Sequence, residues 1–177
     1  MRPFIMFLLA ALTAGPASAQ TVAEDSLAAV YNYVRVNDQL ATAGQLTPSQ
    51  IAYLGEAGYE LVVNLAVADE ARNGREGFEV IEQGISYVHI PVSWREPSMR
   101  DLEMFFDVME ANRDRKVFVH CFANMRASAF TFLYRTLVEG VDESAAREAM
   151  DPVWDPMELE QWAGLIERAQ AEYGGDR

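Results

Sequence analysis

Short apolar segments alternate with helical segments along this chain, and this alternation constrains the fold more than any other feature. The strand candidates are rich in β-branched and aromatic residues, as in the runs ELVVNLAV and SYVHIPV, which is typical of strands buried in a sheet. Helix-start signals lie between them: Thr47 and Ser98 can cap helices, and Pro48 suits a first helical position. Strands are predicted over residues 31–36, 60–67, 86–92 and 116–120.

The order of these elements predicts a single α/β domain with a central, mostly parallel sheet of four or five strands and helices on both faces. The helix after the last strand is apolar on nearly all sides, so it should be buried in the middle of the domain. Open α/β sheets bind ligands beyond the carboxyl ends of their strands, and residues 120–127 occupy such a position. Helices are predicted over residues 48–57, 76–83, 99–111, 126–138, 143–150 and 156–173.

Residues 1–19 have the composition of a cleavable secretory signal peptide. Arg2 supplies the positive start, residues 4–12 are almost all apolar, a Gly-Pro pair is expected to break the helix, and an Ala-Ser-Ala cleavage site follows. The apolar run is too short to span a bilayer. We therefore expect a periplasmic or secreted protein whose single domain covers residues 20–177. The alternative is an ordinary N-terminal core helix.

The charge and the few cysteines and histidines exclude several function classes. Acidic residues outnumber basic ones, 27 to 14, and the formal net charge is −13. Nucleic-acid backbones and anionic membranes both attract basic patches, so neither is an expected partner, and highly anionic substrates are mildly disfavoured. A single cysteine excludes an intramolecular disulfide, and two histidines, His89 and His120, leave little for a zinc site. We expect no metal, no cofactor and no membrane insertion after leader removal; the oligomeric state is left open.

Residues 120–128, HCFANMRAS, place a cysteine at the end of a buried strand and an arginine near the start of a helix. Loop amides and the positive end of a helix can surround an anion. The same field lowers the pKa of a thiol from its free value of ~8.5, which favours the nucleophilic thiolate. The guanidinium of Arg126 matches tetrahedral oxyanions, so the pattern predicts a cysteine-dependent phosphatase. The alternative is a buried structural Cys121 with Arg126 in a surface ion pair.

Four sequence blocks together resemble a known family: LATAGQLT at residues 40–47, VVNL at 62–65, HIPV at 89–92 and HCFANMRAS at 120–128. Their order and spacing resemble the protein tyrosine and dual-specificity phosphatase superfamily, over residues 32–170. The chain is most similar to the bacterial branch called protein tyrosine phosphatase-like, and to the phosphatase-like domain of the β-lactamase-hydrolase-like proteins. The resemblance implies a cysteine phosphatase-like fold.

The resemblance also implies a role for each residue of the last block. Cys121 would form a phosphocysteine intermediate, and Ser128 would hydrogen-bond the thiolate and assist its departure. His120 would support the loop, or would simply be a buried neutral residue bonded to backbone. The implied ligand is a phosphate or a phosphomonoester. Its oxygens would be held by the Arg126 side chain and by the amides of Phe122, Ala123, Asn124, Met125, Arg126 and Ala127.

The spacing of this loop departs from the family pattern. Four residues separate Cys121 from Arg126, where the family has five, yet Ser128 keeps the usual distance of seven from the cysteine. Either the loop is one residue shorter, or Arg126 lies one step early and Ala127 takes the arginine's place, which would spoil the phosphate clamp. Asn124 replaces the usual loop glycine, a mild change because asparagine tolerates a positive φ.

The loop after HIPV lacks the Asp that serves the family as general acid. It reads SWREPS over residues 93–98, so Glu96 is the candidate substitute, and Asp101 in the next helix is a weaker one. Loss of a general acid typically slows a reaction about 10²–10⁴-fold, so slow turnover is expected. Trp94 either lines the mouth of the pocket or packs at a hinge.

Two other functions fit parts of the sequence. Rhodanese-type sulfurtransferases also place a catalytic cysteine on a loop before a helix, often with an arginine five residues on, which is the spacing from Cys121 to Arg126. The His-Cys pair and the other three blocks are phosphatase-like instead. A phosphate-binding loop without a good acid could also bind a phosphorylated ligand without hydrolysing it. A non-catalytic binding protein is therefore the second alternative.

Overall fold

A five-stranded sheet forms the centre of the computed structural model, which describes residues 16–174, with side chains from residue 20. Its strands are β1 (Val34–Arg35), β2 (Leu40–Ala43), β3 (Leu61–Asn64), β4 (Ser86–His89) and β5 (Val117–His120). They lie in the order β1-β2-β5-β3-β4; the β1–β2 pair is antiparallel and all the other pairs are parallel. The predicted α/β architecture with a mostly parallel sheet is confirmed.

Helices cover both faces of this sheet. One face packs against α1 (Pro16–Ala28), α2 (Pro48–Glu56) and α3 (Glu76–Glu82). The other face packs against α4 (Met99–Ala111), α5 (Met125–Leu137), α6 (Glu143–Arg147) and α7 (Glu160–Tyr173), and a short 3₁₀ helix, Pro156–Glu158, precedes α7. Ten residues of α5 are buried, as its all-round apolar sequence predicted. None of the helices within residues 16–174 is long and apolar enough to cross a membrane.

The helix ends follow the predicted local signals. Thr47 and Gln50 form a capping box at the start of α2, and the Ser98 hydroxyl accepts from the Asp101 amide at the start of α4. Gly58, just after α2, has a φ of 82°, which only glycine adopts without cost. Such interactions span only a few residues, so the sequence alone carries them.

Two elements of the structure were not predicted, and the helix predicted over residues 156–173 is divided at Leu159, which has an extended conformation between the 3₁₀ helix and α7. The strand β2 was not predicted; all four of its residues are buried, but two of them are alanines, which have little strand propensity. The helix α1 was not predicted either: Pro16, expected to break a helix, is its first residue, a position that suits proline. Ala23 and Leu27 of α1 are fully buried. Residues 1–15 of the predicted leader lie outside the described residues.

Side-chain alternation along β5 sends neighbouring residues to opposite faces of the sheet. Val119 and Cys121 belong to the core beneath α4, α5 and α7. Phe118 belongs to the core beneath α1, α2 and α3, and the His120 ring lies on the same side, 6.4 Å from the Phe118 ring. The side chains of the His-Cys pair therefore lie on opposite faces of the sheet. Cys121 approaches the start of α5, and His120 approaches α3.

Candidate active site

Cys121 follows the central strand β5 directly and lines a cavity of about 110 Å³. Its side chain is 2% exposed, and its backbone N–H donates to the Ala43 carbonyl at 3.3 Å. Several of the other cavity residues are only half-buried, so solvent reaches the rim. The cysteine thus lies at the carboxyl end of a central strand and faces a cavity. The lining residues are Trp94, Cys121, Phe122, Ala123, Met125 and Arg126.

Arg126 brings a buried positive charge to this cavity. Its side chain is 8% exposed, and its Nη1 donates to the Leu65 carbonyl at 3.4 Å. Among residues 20–174, no carboxylate lies within ion-pair distance of the guanidinium. Burial lowers the pKa of Arg126, while the negative charge of a Cys121 thiolate raises it. A buried guanidinium without an acidic partner favours an anionic ligand.

The position of Arg126 decides between the two alternatives for the loop spacing. Arg126 is the second residue of α5 and its side chain lines the cavity. Ala127 is fully buried in the core beneath α4 and α7. The loop is therefore one residue shorter than the family pattern, and Arg126 itself is the arginine of the pocket.

Asn124 holds the tight turn between Cys121 and α5. Its φ is 67°, and its Nδ2 donates to the Asn32 carbonyl at 2.6 Å and to Thr42 Oγ1 at 3.0 Å. Asn32 in turn donates from Nδ2 to the Ala123 carbonyl at 3.1 Å. The first amides of α5 have no acceptor within the helix, and this positive end lies beside Cys121. Asn124 thus adopts the positive φ that an asparagine was expected to tolerate at this position.

Gly44 and Gln45 brace the same loop from the end of β2. The Gly44 N–H donates to the Tyr31 carbonyl at 2.7 Å, and the Gln45 N–H donates to the Phe122 carbonyl at 3.3 Å. A Cβ at position 44 would lie 2.8 Å from the Tyr31 carbonyl oxygen and 3.1 Å from that of Phe122. The close approach of these backbones explains why a glycine stands within the LATAGQLT block.

A buried acid, Glu76, holds the histidine that precedes the nucleophile. The Oε1 of Glu76 lies 2.6 Å from His120 Nε2, and neither side chain exposes more than 2% of its surface. Glu76 also accepts hydrogen bonds from Gln45 Nε2 and, at 3.4 Å, from Asn64 Nδ2. Asn64 Nδ2 donates to the Tyr87 hydroxyl at 2.9 Å, and burial together with the charge of Glu76 raises the pKa of Tyr87. Sequence reasoning identified Glu76 only as the start of a helix.

Both histidines contact an oxygen atom of another residue. His89 Nε2 lies 2.7 Å from the Ala66 carbonyl oxygen, and His120 pairs with Glu76. Within the described part of the chain, no group of three or more His, Cys, Asp or Glu residues lies close enough to hold a metal ion.

Ser128 contacts the loop backbone and a tryptophan. Its hydroxyl donates to the Met125 carbonyl at 3.1 Å and accepts from Trp154 Nε1 at 3.3 Å. Trp154 Nε1 also donates to the Met125 carbonyl, at 2.8 Å. No hydrogen bond joins Ser128 to the sulfur of Cys121 in the described structure. The hydroxyl therefore braces the first residue of α5, and its role towards the thiolate stays a prediction.

Three tryptophans pack together beside the cavity. The Trp94 ring lies 5.3 Å from both the Trp154 ring and the Trp162 ring, and the last two are 5.5 Å apart. Trp162 Nε1 donates to the Trp94 carbonyl at 3.1 Å. Trp94 therefore lines the cavity and also packs against the other two tryptophans.

The structure does not bring either acid candidate to the cavity. The Glu96 amide donates to Ser93 Oγ at 3.1 Å in a turn, and the exposed Glu96 side chain lines a separate groove against α7. Asp101 lies in the first turn of α4 and does not line the cavity either. Neither carboxylate lines the cavity of Cys121, so the sequence-based assignment of Glu96 to the site finds no geometric support.

Comparison with known proteins places this fold and site in a family. The profile of PTP-NADK, described as a DSP-PTPase phosphatase fused to NAD⁺ kinase, matches residues 20–162. This chain belongs to the PTP-NADK family. The predicted membership of the tyrosine and dual-specificity phosphatase superfamily is thereby confirmed. Among curated proteins, none matches the chain.

Solved structures show the same fold as this PTP-NADK family member. A DUF442 protein from Shewanella putrefaciens CN-32, described as a phosphatase, is 32% identical with a TM-score of 0.75; the match covers 84% of this chain and 97% of that one. Tk-PTP in its active form is 14% identical, with a TM-score of 0.67, over 79% and 97% of the two chains. A variant of TpbA from P. aeruginosa, crystallised in complex with phosphotyrosine, is 17% identical with a TM-score of 0.62, over 81% and 91%.

Proposed function

We propose that this domain hydrolyses a phosphomonoester through a phosphocysteine intermediate on Cys121. One observation carries the proposal: Cys121 and the acid-free guanidinium of Arg126 line the same cavity at the start of α5. A phosphate dianion placed there would meet the Arg126 fork and the first amides of α5. The nucleophile and the anion site therefore share one location.

The reaction has two steps. The Cys121 thiolate attacks phosphorus, a P–S bond forms, and the ester P–O bond breaks with its electron pair on the leaving oxygen. Water then attacks the phosphorus of the intermediate, the P–S bond breaks, and inorganic phosphate leaves with the thiolate restored. Arg126 and the amides of α5 stabilise the charge on the non-bridging oxygens throughout.

The leaving group departs without help from an acidic side chain. None of the residues that line the cavity carries a carboxylate, and Glu96 is exposed in a different groove. Turnover should be slow for esters with basic leaving groups, since the charge on the departing oxygen is not neutralised. The same feature favours a second candidate function, a protein that binds phosphorylated ligands without hydrolysing them.

The ligand is a phosphorylated molecule, and an aryl phosphate suits the cavity. Trp94 and Phe122 give the rim two aromatic side chains that can pack against an aromatic substrate. The phosphotyrosine complex of a TpbA variant, which has the same fold, supports this choice.

Export from the cytoplasm belongs to the same proposal. Residues 1–19 carry the features of a cleavable leader, and the family match begins at residue 20. A periplasmic or secreted location follows. N-terminal sequencing of the protein from a fractionated culture tests it, since a mature chain that starts at Gln20 is expected.

The test of activity compares the wild type with Cys121→Ser on 4-nitrophenyl phosphate. The variant should lose nearly all hydrolysis while it still binds phosphate, followed through the fluorescence of the tryptophan cluster. Unchanged hydrolysis in Cys121→Ser would contradict the proposal. Phosphate binding by the wild type without hydrolysis of this activated ester would identify a binding protein. Thiosulfate:cyanide sulfur transfer is expected to be absent, and its presence would favour a sulfurtransferase.

A further inference from the structure

A second guanidinium, that of Arg72, lies beside the cavity. Its Cζ is 3.8 Å from the ring centroid of Phe122, the residue after Cys121, and the Cζ of Arg126 is 5.5 Å from the same centroid. The two guanidinium carbons can therefore be no farther apart than the sum of these distances. The charge of Arg72 lowers the pKa of Arg126, which also indicates that the two cations interact.

Arg72 is held in place from one side only. Its Nε donates to Asp69 Oδ2 at 2.8 Å, and the amides of Ala71 and Arg72 donate to Asp69 Oδ1, each at 3.1 Å. Within residues 20–174 no acceptor binds its Nη groups, and the side chain is 56% exposed. Arg72 thus combines a fixed stem with a free, solvent-facing fork, which is the arrangement that binds an incoming anion.

The chain as a whole is acidic, with a formal net charge of −13. Two guanidinium groups on one aromatic ring repel each other, and the single carboxylate of Asp69 compensates only the outer one. An anion with two charged groups would compensate both. The segment that contains Arg72 follows β3, and Cys121 follows the parallel strand β5. Both therefore lie beyond the carboxyl ends of the strands, where open α/β sheets bind ligands.

We propose that Arg72 forms a second anion subsite, so that the preferred substrate is a phosphomonoester bearing a second anionic group near the scissile phosphate. The phosphoryl group binds at Arg126, and the second phosphate, sulfonate or carboxylate binds the Nη groups of Arg72. This inference rests on the proposed function, since it takes the cavity of Cys121 as the phosphate site. It also departs from the expectation that the acidic chain disfavours anionic substrates, because two guanidinium groups lie beside Phe122 at the cavity.

The test measures the affinity for ligands that cannot be hydrolysed, so its result does not depend on turnover. Dissociation constants are measured by titration calorimetry for α,ω-alkanebisphosphonates with one to six methylene groups and for alkylphosphonates of the same lengths. The proteins are the wild type, Arg72→Gln, Arg72→Lys and Arg75→Gln. Arg75 is a matched control because it lies on the same segment, with its Nε 3.6 Å from Glu79, and its guanidinium lies over the ring of Phe78 where that of Arg72 lies over Phe122.

The wild type should bind at least one bisphosphonate about tenfold more tightly than the matching monophosphonate. Arg72→Gln should lose this preference and keep its affinity for the monophosphonate, Arg72→Lys should keep part of it, and Arg75→Gln should keep all of it. The same affinity for both ligand series in the wild type, or an unchanged preference in Arg72→Gln, would overturn the subsite. Failure of the wild type to bind any monophosphonate would overturn the proposed phosphate site and the subsite with it.

Discussion

Glu76 and His120 form a pair in the core, with Oε1 2.6 Å from Nε2 and both side chains almost fully shielded from water. His120 immediately precedes Cys121, and the alternation of β5 points the two side chains to opposite faces of the sheet. The pair therefore fixes the end of β5 from the face away from the cavity. Loss of this carboxylate should lower the free energy of unfolding, because each buried polar neighbour that it leaves without a partner has lost its bonds to water and gains none in return.

Glu76→Gln should lower the free energy of unfolding by about 2 kcal/mol, since the buried carboxylate that lies beside His120 and accepts from Gln45 and Asn64 becomes a neutral amide while the volume is kept. Glu82→Gln is the matched control on the same helix: Glu82 is exposed, so its change should stay within about 0.5 kcal/mol. Urea denaturation measures both. Equal stability of the two variants would show that the buried pair contributes nothing.

Two substitutions of Asn124 distinguish the effect of its positive φ from the effect of its side-chain hydrogen bonds. Asn124→Gly loses the bonds to Asn32 and Thr42 but accepts the φ of 67°. Asn124→Ala loses the same bonds and must also adopt a left-handed conformation, so it should be less stable than the glycine variant by about 1 kcal/mol. Denaturant midpoints decide the order. An alanine variant as stable as the glycine variant would contradict the role given to φ.

Gly44→Ala should weaken phosphate binding and destabilise the fold. Its Cβ would lie 2.8 Å from the Tyr31 carbonyl oxygen, so the backbone that braces Phe122 must shift. Gly164→Ala is the same chemical change inside α7, where the nearest atom is 3.6 Å away on a flexible arginine. That control should be neutral or more stable by about 0.5–1 kcal/mol. Calorimetric titration with phosphate and thermal unfolding measure the two effects, and a tolerated Gly44→Ala would refute the bracing role.

The absence of a carboxylate from the cavity predicts a steep dependence of kcat/KM on the leaving group. Activated aryl phosphates should be cleaved much faster than phosphotyrosine, and alkyl phosphates hardly at all, because the departing oxygen carries uncompensated charge in the transition state. Glu96→Gln and Asp101→Asn should leave this dependence unchanged. A series of aryl phosphates with graded leaving-group pKa measures it. A shallow dependence that becomes steep in Glu96→Gln would make Glu96 the acid after all.

Local signals account for the part of the fold that the sequence predicted. The Thr47–Gln50 capping box, the Ser98 cap and the β-branched run of β3 each lie within a few neighbouring residues. The strand β2 was missed because its small residues, Ala41 among them, carry no strand preference of their own. Their burial comes from pairing with β5, and that pairing is a property of the assembled sheet.

The site, like the fold, has a part that local sequence predicted and a part that only the folded chain shows. Cys121 and Arg126 stand in one continuous motif, so their chemistry could be proposed from the sequence. The bonds that brace the motif join distant segments: Gln45 to Glu76 across 31 positions, and Trp154 to Met125 across 29. No spacing rule connects such residues in a single sequence. The register of Arg126 was also open, since only the start of α5 shows which of residues 126 and 127 faces the cavity.

The central claim is that the phosphoryl group passes through Cys121. Wild-type protein turning over 4-nitrophenyl phosphate is rapidly denatured, and its peptides are analysed by mass spectrometry. We predict one phosphoryl group on the peptide that contains Cys121, attached to its sulfur, and none on that peptide from Cys121→Ser. Hydrolysis that proceeds with no phosphorylated peptide, or with the phosphoryl group on another residue, would contradict the account.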